Sequence, residues 1–303
     1  MAIPESQLKT WSAQGSITQS AATYDTIRTV LNDSSSPYFL KNFSIFLQGS
    51  YGNNTNVWKD SDVDIIIRLN QTFYSDLSQL EQGAKSSFDT VYTDVQYGFH
   101  EFRTEVIDWL TEHFGSDVKP GKKAILVKGN NGRRDSDVLV CAKLRRYRKG
   151  SVGTDNQYDE GICFFLPDKT RVINFPVQHR DNCTTKHQDS NEWFKKMVRV
   201  YKNMRNRMVE DGYLAEGVAS SYFIEGMLWN VPNDRFGTSF EDSFVNCFNW
   251  MNASDKTQLA CANDLHWLIR DVGGNSWNPA DFYAYIAAVR KYWNEWGAKW
   301  QRQ

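Results

Sequence analysis

The sequence lacks the patterns that mark several common classes of protein. Its five cysteines are odd in number and form no C-x-x-C pair, which argues against a disulfide framework or a structural zinc site and favours a reducing compartment. No stretch approaches the roughly 18 to 20 apolar residues that a membrane-spanning helix needs. Residues 1–20 are polar and lack the charged-then-apolar layout of a secretory signal. These absences predict a cytoplasmic protein that does not enter the membrane.

The chain also lacks an excess of charge of either sign. Lys and Arg total 35 against 36 Asp and Glu, which gives a formal net charge of -1. A protein that coats nucleic acid is usually basic over much of its surface. Any contact with phosphate or nucleic acid must therefore come from a local cluster of charges.

Familiar catalytic motifs are missing as well. No G-x-S-x-G occurs, so a hydrolase nucleophile elbow is not supported. The segment from Gly115 to Lys123 resembles a phosphate-binding loop, but five residues instead of four separate Gly115 from Gly121. Lys123 also stands where such a loop needs Ser or Thr. The histidines do not occur at zinc-ligand spacings and are expected to be structural.

What the chain does have is material for a large core and a change of pattern along its length. Hydrophobic residues make up 41% and aromatics 14%. Short strand patterns alternate with helical ones in the first half, whereas the pattern turns helical from Ser190 onward. The sequence predicts helices over 17–31, 218–229, 239–251 and 279–296, one helix ending near Gly115, and strands over 43–47, 62–69, 123–127 and 135–143. We therefore expect an α+β lobe with a central sheet over 1–165 and a helical lobe over 166–303.

The most informative segment is a Gly-Ser pair followed by two aspartates. Gly49 and Ser50 end one predicted strand, and Asp62 and Asp64 flank Val63 at the start of the next. Alternate residues of a strand share a face, so the two carboxylates would lie about 7 Å apart and repel each other unless a cation neutralises them. Oxygen ligands of this kind suit Mg²⁺ or Mn²⁺. Glycine lets the backbone approach a phosphate closely, and a serine hydroxyl can donate to it.

A lone D-x-D is common and usually marks a solvated strand end, but this combination is more specific. Eleven residues separate Ser50 from Asp62, and three isoleucines follow Asp64. This pattern resembles that of the polymerase-β-like nucleotidyltransferase superfamily. The resemblance implies a third carboxylate on a later strand. Asp137 fits best, and Asp135 is the competing candidate.

Motifs in the second half narrow the resemblance. They are Asn174-Phe175-Pro176 with His179, the stretch from Phe194 to Lys202, and the stretch from Ser220 to Glu225. Over residues 40–230 the chain resembles the cGAS/DncV-like nucleotidyltransferases, which are bacterial second-messenger synthases related to animal cGAS and oligoadenylate synthetase. The resemblance implies that Lys202 and Ser221 hold the donor triphosphate and that Tyr222 stacks on a base. It also implies a mixed central sheet, an active site in the cleft between the lobes, and an N-terminal helix that packs across both.

The function implied by the resemblance is the joining of NTPs, at least one of them a purine, into a cyclic di- or trinucleotide. Asp62, Asp64 and Asp137 would hold two Mg²⁺ or Mn²⁺ ions, and the product would activate a separate effector in CBASS-type anti-phage defence. The alternatives are a template-free RNA or tRNA nucleotidyltransferase, a linear oligoadenylate-type synthase, and an inactive nucleotide-binding regulator. The basic run from Lys143 to Lys149 could bind triphosphate or a nucleic-acid activator, or could be a solvated face.

Overall fold

A computed structural model describes residues 2–15, 17–58, 62–89, 97–130, 132–150, 157–271 and 275–300. The helices are α1 (Glu5–Ser12), α2 (Thr18–Leu31), α3 (Gly49–Gly52), α4 (Gln82–Asp89), α5 (Phe99–Phe114), α6 (Pro176–Asp189), α7 (Phe194–Glu210), α8 (Ser221–Trp229), α9 (Phe240–Ala253) and α10 (Pro279–Trp300). The strands are β1 (Phe43–Leu47), β2 (Val63–Asp76), β3 (Val118–Pro120), β4 (Ile125–Val127), β5 (Ser136–Tyr147), β6 (Tyr158–Phe165) and β7 (Arg171–Asn174).

The chain divides into two compact units that interleave along the sequence. A sheet unit comprises Ile17–Gln48 and the described part of Ser61–Pro176. A helical unit comprises the described parts of Met1–Ser16, Gly49–Asp60 and Val177–Gln303. The sequence-based division expected one boundary at residue 165, so the structure differs in assigning two early segments to the helical unit.

The sheet unit contains one mixed seven-stranded sheet. Five strands follow the order β1-β2-β5-β4-β3, while β6 pairs with β5 and β7 with β6. The central pair β2 and β5 is parallel, and every other pairing is antiparallel. The predicted α+β class with a mixed central sheet is therefore confirmed.

The first halves of the two central strands are rich in buried aliphatic residues. In β2, Ile65, Ile66 and Ile67 are all fully buried, as expected for a parallel strand inside a sheet. Helices α2 and α5 pack on this sheet. They are joined to each other by the Trp109 indole N–H, which donates to the Val30 carbonyl oxygen at 2.8 Å. The two helices thus pack on the central strands and against each other.

The helical unit has its own core, centred on α7. Met197, Val200 and Tyr201 are fully buried there, and the buried side chains of α1 belong to the same cluster. Leu8 and Trp11 are the α1 residues in that core, which explains why the N-terminal segment groups with the helical unit. Within the described ranges, no helix has the length and apolar character needed to cross a bilayer.

Several elements extend beyond their predicted bounds. The sequence predicted strands ending at residues 69 and 143, but β2 continues to Asp76 and β5 to Tyr147. The pair continues past an irregularity between Leu69 and Phe73. Much of the basic run from Lys143 to Lys149 therefore belongs to a strand at the centre of the sheet.

Candidate active site

Carboxylates gather where the two central parallel strands begin. Asp64 in β2 lies in register with Asp137 in β5, and both side chains are half-buried. Asp62 immediately precedes β2 and is exposed. Because parallel strands in register present the same face at paired positions, Asp64 and Asp137 project to one side of the sheet, and alternation places Asp62 there as well. The structure thus brings the three predicted aspartates together in the sheet unit.

The electrostatics of this aspartate cluster (Asp62, Asp64 and Asp137) are repulsive. Burial raises the pKa of Asp137, and the negative charges of Asp62 and Asp135 raise it further. Negative charges this close to Asp137 create a site of negative potential. Such a site favours a cation.

Asp135, the competing candidate for the third carboxylate, has a different environment. Its carbonyl oxygen accepts from the backbone N–H of Val63 at 3.0 Å. Its carboxylate accepts from the Gly129 N–H at 2.6 Å. The side chain is thus engaged with the loop before β5, whereas Asp137 lies within the strand opposite Asp64. The register favours Asp137 as the third member.

The donor chemistry of the aspartate cluster fits a divalent cation. Mg²⁺ and Mn²⁺ prefer carboxylate oxygens and retain positions for water or phosphate. Three carboxylates supply such oxygens, and a bound cation would offset the burial and the nearby negative charges that raise the pKa of Asp137. Asp62, Asp64 and Asp137 are therefore the residues suited to hold the metal.

The Gly-Ser pair belongs to a tight turn of the helical unit. Gly49 begins the single-turn helix α3 with φ = 65°, a conformation that glycine adopts without strain. The carbonyl oxygen of Gly49 accepts from the Asn53 N–H at 3.1 Å, and that of Ser50 from the Thr55 N–H at 2.9 Å. Ser50 is half-buried. The backbone is thus held in a compact turn at the position predicted for phosphate binding.

The structure places Lys202 differently from the sequence-based expectation. Its side chain is fully buried in the helical unit, and its ammonium donates to the Thr55 carbonyl oxygen at 2.9 Å. A lysine in this environment holds the segment that follows the Gly-Ser turn. It is not presented to a phosphate at the surface.

Ser221 and Tyr222 lie at the start of α8. Ser220 is the N-cap, and its hydroxyl accepts from the Phe223 N–H at 3.4 Å. The Tyr222 ring stacks on the His179 imidazole with 5.1 Å between centroids and 21° between planes. One face of that ring is therefore already covered, and Tyr222 remains half-buried.

The sequence patterns gave no role to Glu225, a buried acidic residue of the helical unit. Its carboxylate is 3% exposed. It accepts hydrogen bonds from the Thr55 hydroxyl, the Asn53 amide (2.9 Å) and His179 Nε2 (2.6 Å). We call Asn53, Thr55, His179, Lys202 and Glu225 the Glu225 cluster. One available signal was the presence of a single acid within the otherwise apolar helix SYFIEGMLW.

These partners stabilise the charged form of Glu225. Burial opposes ionisation, but the hydrogen bond and charge of His179, with Lys202 and the Thr55 hydroxyl, lower the pKa of Glu225 below its ordinary value. A buried carboxylate with this many hydrogen-bond donors holds neighbouring segments of the chain together.

The basic run is largely compensated within the sheet unit. Lys143 pairs with Glu160 at 2.7 Å, Arg146 with Asp76 at 2.9 Å, and Arg148 with Asp159. Arg145 lies over the rings of Phe73 and Tyr158. These contacts favour a structural role for the run and weaken the case for an extended nucleic-acid surface.

Comparisons with known proteins agree with the motifs. Residues 181–294 match the cGAS/DncV-like nucleotidyltransferase C-terminal helical domain. The chain is 35% identical over 299 residues to a cyclic UMP-AMP synthase from Rhodothermus marinus, covering 98% of this chain and 100% of that protein. It is 33% identical to the cyclic nucleotide synthase CdnE01 from Staphylococcus haemolyticus, with coverage of 98% and 100%.

Solved structures give the same result. The Rhodothermus marinus CdnE c-UMP-AMP synthase with Apcpp and Upnpp matches with a TM-score of 0.87 and 32% identity, over 97% of this chain and 98% of that chain. The Elizabethkingia meningoseptica CdnE cyclic dinucleotide synthase with GTP and Apcpp matches with a TM-score of 0.75 and 29% identity, over 96% and 98%. Full-length similarity at this level, together with the aspartate pattern on the central strands, shows that the chain is a nucleotidyltransferase and belongs to the cGAS/DncV-like family.

Proposed function

We propose that this enzyme joins NTPs into a cyclic di- or trinucleotide by metal-dependent nucleotidyl transfer. The observation that carries the proposal is the register of Asp64 with Asp137 on parallel central strands, with Asp62 directly before β2. Relatives along the full length are cyclic nucleotide synthases by name, and related structures contain NTPs or their analogues, which supports NTPs as substrates.

Asp62, Asp64 and Asp137 are assigned to hold two Mg²⁺ or Mn²⁺ ions. When bound, such ions neutralise phosphate charge and favour loss of the proton from an attacking hydroxyl. In each transfer the acceptor ribose oxygen bonds to the α-phosphorus of the donor, and the bond to pyrophosphate breaks. We also assign Asp137, which lies opposite Asp64 in the register of β2 and β5, to accept the proton that the attacking hydroxyl loses.

The donor triphosphate is assigned to the Gly49–Ser50 turn and to Ser221 in the helical unit. The turn offers backbone N–H groups and a half-buried hydroxyl, donor types that phosphate oxygens accept. Tyr222 can stack on a base only through the ring face that His179 leaves uncovered. Stacking of this kind is worth roughly 1–3 kcal/mol.

Which bases the joined nucleotides carry is a more specific part of the proposal. Full-length relatives at similar identity include a cyclic UMP-AMP synthase, a cyclic dipurine nucleotide synthase and a cyclic dipyrimidine nucleotide synthase. Overall similarity therefore does not assign the bases. We propose at least one purine, because a larger ring system gains more from stacking on Tyr222. The product would then activate a separate effector in cytoplasmic anti-phage defence.

The test is to incubate the protein with Mg²⁺ and the four NTPs, singly and in pairs, each labelled at the α-phosphate. We expect a labelled product that survives phosphatase and has the mass of a cyclic di- or trinucleotide. Phosphatase-sensitive oligomers alone would identify a linear synthase, and label added to RNA would identify a template-free RNA nucleotidyltransferase. Absence of any product with every NTP would support an inactive regulator.

A further inference from the structure

The Glu225 cluster lies beneath the segment that follows the Gly49–Ser50 turn. The side chains of Asn53 and Thr55 donate to Glu225. The backbone N–H groups of the same two residues close the turn by donating to the carbonyl oxygens of Gly49 and Ser50. Each of the two residues is therefore bonded to the turn through its main chain and to Glu225 through its side chain.

Side chains of helix α7 hold the same segment through hydrogen bonds to its main-chain carbonyl oxygens. Arg199 Nη1 donates to the Asn54 carbonyl oxygen at 2.8 Å, and Lys202 donates to that of Thr55. These two residues are three positions apart and so share one face of the helix. The three consecutive residues of the segment are thus each held by a charged side chain.

Burial separates this arrangement from direct nucleotide contact. Thr55 and Lys202 are fully buried, Glu225 is 3% exposed and Asn53 is 6% exposed. Groups enclosed in this way act on a ligand only through the residues they hold. Because a buried polar group left without its partner is costly, the bonds permit few alternative positions of the segment.

We propose that Glu225 is a positioning residue for the donor triphosphate: through Asn53 and Thr55 it holds the Gly49–Ser50 turn in the geometry that receives phosphate. This inference rests on the proposed function of that turn. It adds a residue of the helical unit's core to the machinery that binds substrate.

A metal site is the principal rival interpretation. Ligand atoms of His179, Cys183 and Glu225 lie within 4.8 Å of one another. Burial and the charge of Glu225 hold the pKa of the Cys183 thiol well above its ordinary value, so without a metal the thiol is protonated. The carboxylate oxygens of Glu225 are also already engaged by Asn53, Thr55 and His179. The cluster is better described as a hydrogen-bonded anchor.

The decisive variants are Thr55→Val and Thr55→Ser. Valine keeps the shape but removes the hydroxyl that donates to Glu225, whereas serine keeps the hydroxyl. Glu225→Gln is a second variant that removes the charge. Tyr201→Phe is the matched control, because it removes another fully buried hydroxyl of the helical unit, one that donates to the Phe244 carbonyl oxygen.

For each variant, KM and kcat are measured for ATP, GTP, CTP and UTP with Mg²⁺, together with direct nucleotide binding and the melting temperature. We expect Thr55→Val and Glu225→Gln to raise KM and Kd at least about tenfold, by a similar factor for every nucleotide the wild type uses, with kcat much less affected. Thr55→Ser should restore wild-type values. Tyr201→Phe should lower the melting temperature and leave KM unchanged.

Wild-type KM and Kd in Thr55→Val would overturn the inference while leaving the proposed function intact. Failure of serine to restore binding, or the same KM increase in Tyr201→Phe, would also overturn it, because either result indicates general destabilisation. Stoichiometric zinc in the purified protein that is lost in Cys183→Ser would establish the metal site instead. A wild type that neither binds nor converts any NTP would contradict the proposed function itself.

Discussion

The sheet unit places three carboxylates at a proposed functional position and the helical unit places one, but the surroundings of the two sites are opposite. In the sheet unit, Asp62, Asp64 and Asp137 lie close together, and neighbouring negative charges raise the pKa of Asp137. In the helical unit, Glu225 is far more buried, yet its donors lower its pKa. Burial alone therefore does not distinguish a structural carboxylate from one that binds a ligand. The partners that the fold supplies make that distinction.

This difference has a chemical meaning. Glu225 receives hydrogen bonds from Thr55, Asn53 and His179, so it is satisfied within the protein and can serve as an anchor. In the aspartate cluster, burial and the negative charge of Asp62 raise the pKa of Asp137, so a cation would stabilise its ionised carboxylate. Substitutions in the two clusters should consequently have opposite effects on stability.

The largest expected effect is on activity, in the double variant Asp62→Asn with Asp64→Asn. Loss of two metal ligands should abolish product formation, while relief of like-charge repulsion leaves the fold intact or slightly more stable. Product is measured by liquid chromatography with labelled NTPs, and stability by thermal melting. Substantial product from the double variant would contradict the assignment of Asp62 and Asp64 as metal ligands.

The next effect is on stability, in Glu225→Ala. Removing the buried acceptor leaves the Asn53 amide, the Thr55 hydroxyl and His179 Nε2 without the carboxylate that they contact. It also removes the charge opposite Lys202, and together these losses should cost about 3–5 kcal/mol of unfolding free energy. The unfolding free energy is measured by urea denaturation. Glu216→Ala is the control, because Glu216 is exposed and its removal should change stability little. Equal stability of the two variants would contradict the anchor assignment.

A smaller effect is expected for Ser50→Ala. The hydroxyl is proposed to donate to the donor triphosphate, and a hydrogen bond to a charged group contributes about 1.5–3 kcal/mol. The ratio kcat/KM for the donor NTP should fall correspondingly, with the melting temperature unchanged. If only the melting temperature falls, Ser50 serves the turn and not the substrate.

The smallest effect is the pH dependence of stability in Asp137→Asn. The pKa of Asp137 is raised in the folded state, so ionisation of its carboxylate destabilises the fold above that pKa. This destabilisation disappears below the ordinary aspartate pKa of 3.8. Without metal, the variant should melt above the wild type near neutral pH and lose this advantage as the solution is acidified. Added Mg²⁺ should raise the melting temperature of the wild type more than that of the variant. A constant difference across pH would contradict the sign of the shift.

Local sequence patterns predicted much of the secondary structure of the sheet unit. Strands beginning near Phe43, Asp62 and Asp135 follow from short apolar runs, and the position of Asp137 within its strand follows from the alternation around it. The sequence pattern did not predict the full lengths of β2 and β5, because the second halves of these strands carry charged residues. Arg146 pairs with Asp76 there, a compensation that depends on the neighbouring strand.

The sequence by itself determined the family, the aspartate pattern and the change from mixed to helical structure, because each depends on residue type and short spacing. Only the tertiary structure decided the partners: the register of Asp64 with Asp137, the burial of Lys202 against Thr55, and the donors around Glu225. Thr55 and Glu225 are 170 positions apart in the chain, and no local periodicity encodes such a contact. Whether a carboxylate repels its neighbours or is satisfied by them depends on distances of a few ångströms, which the complete fold sets.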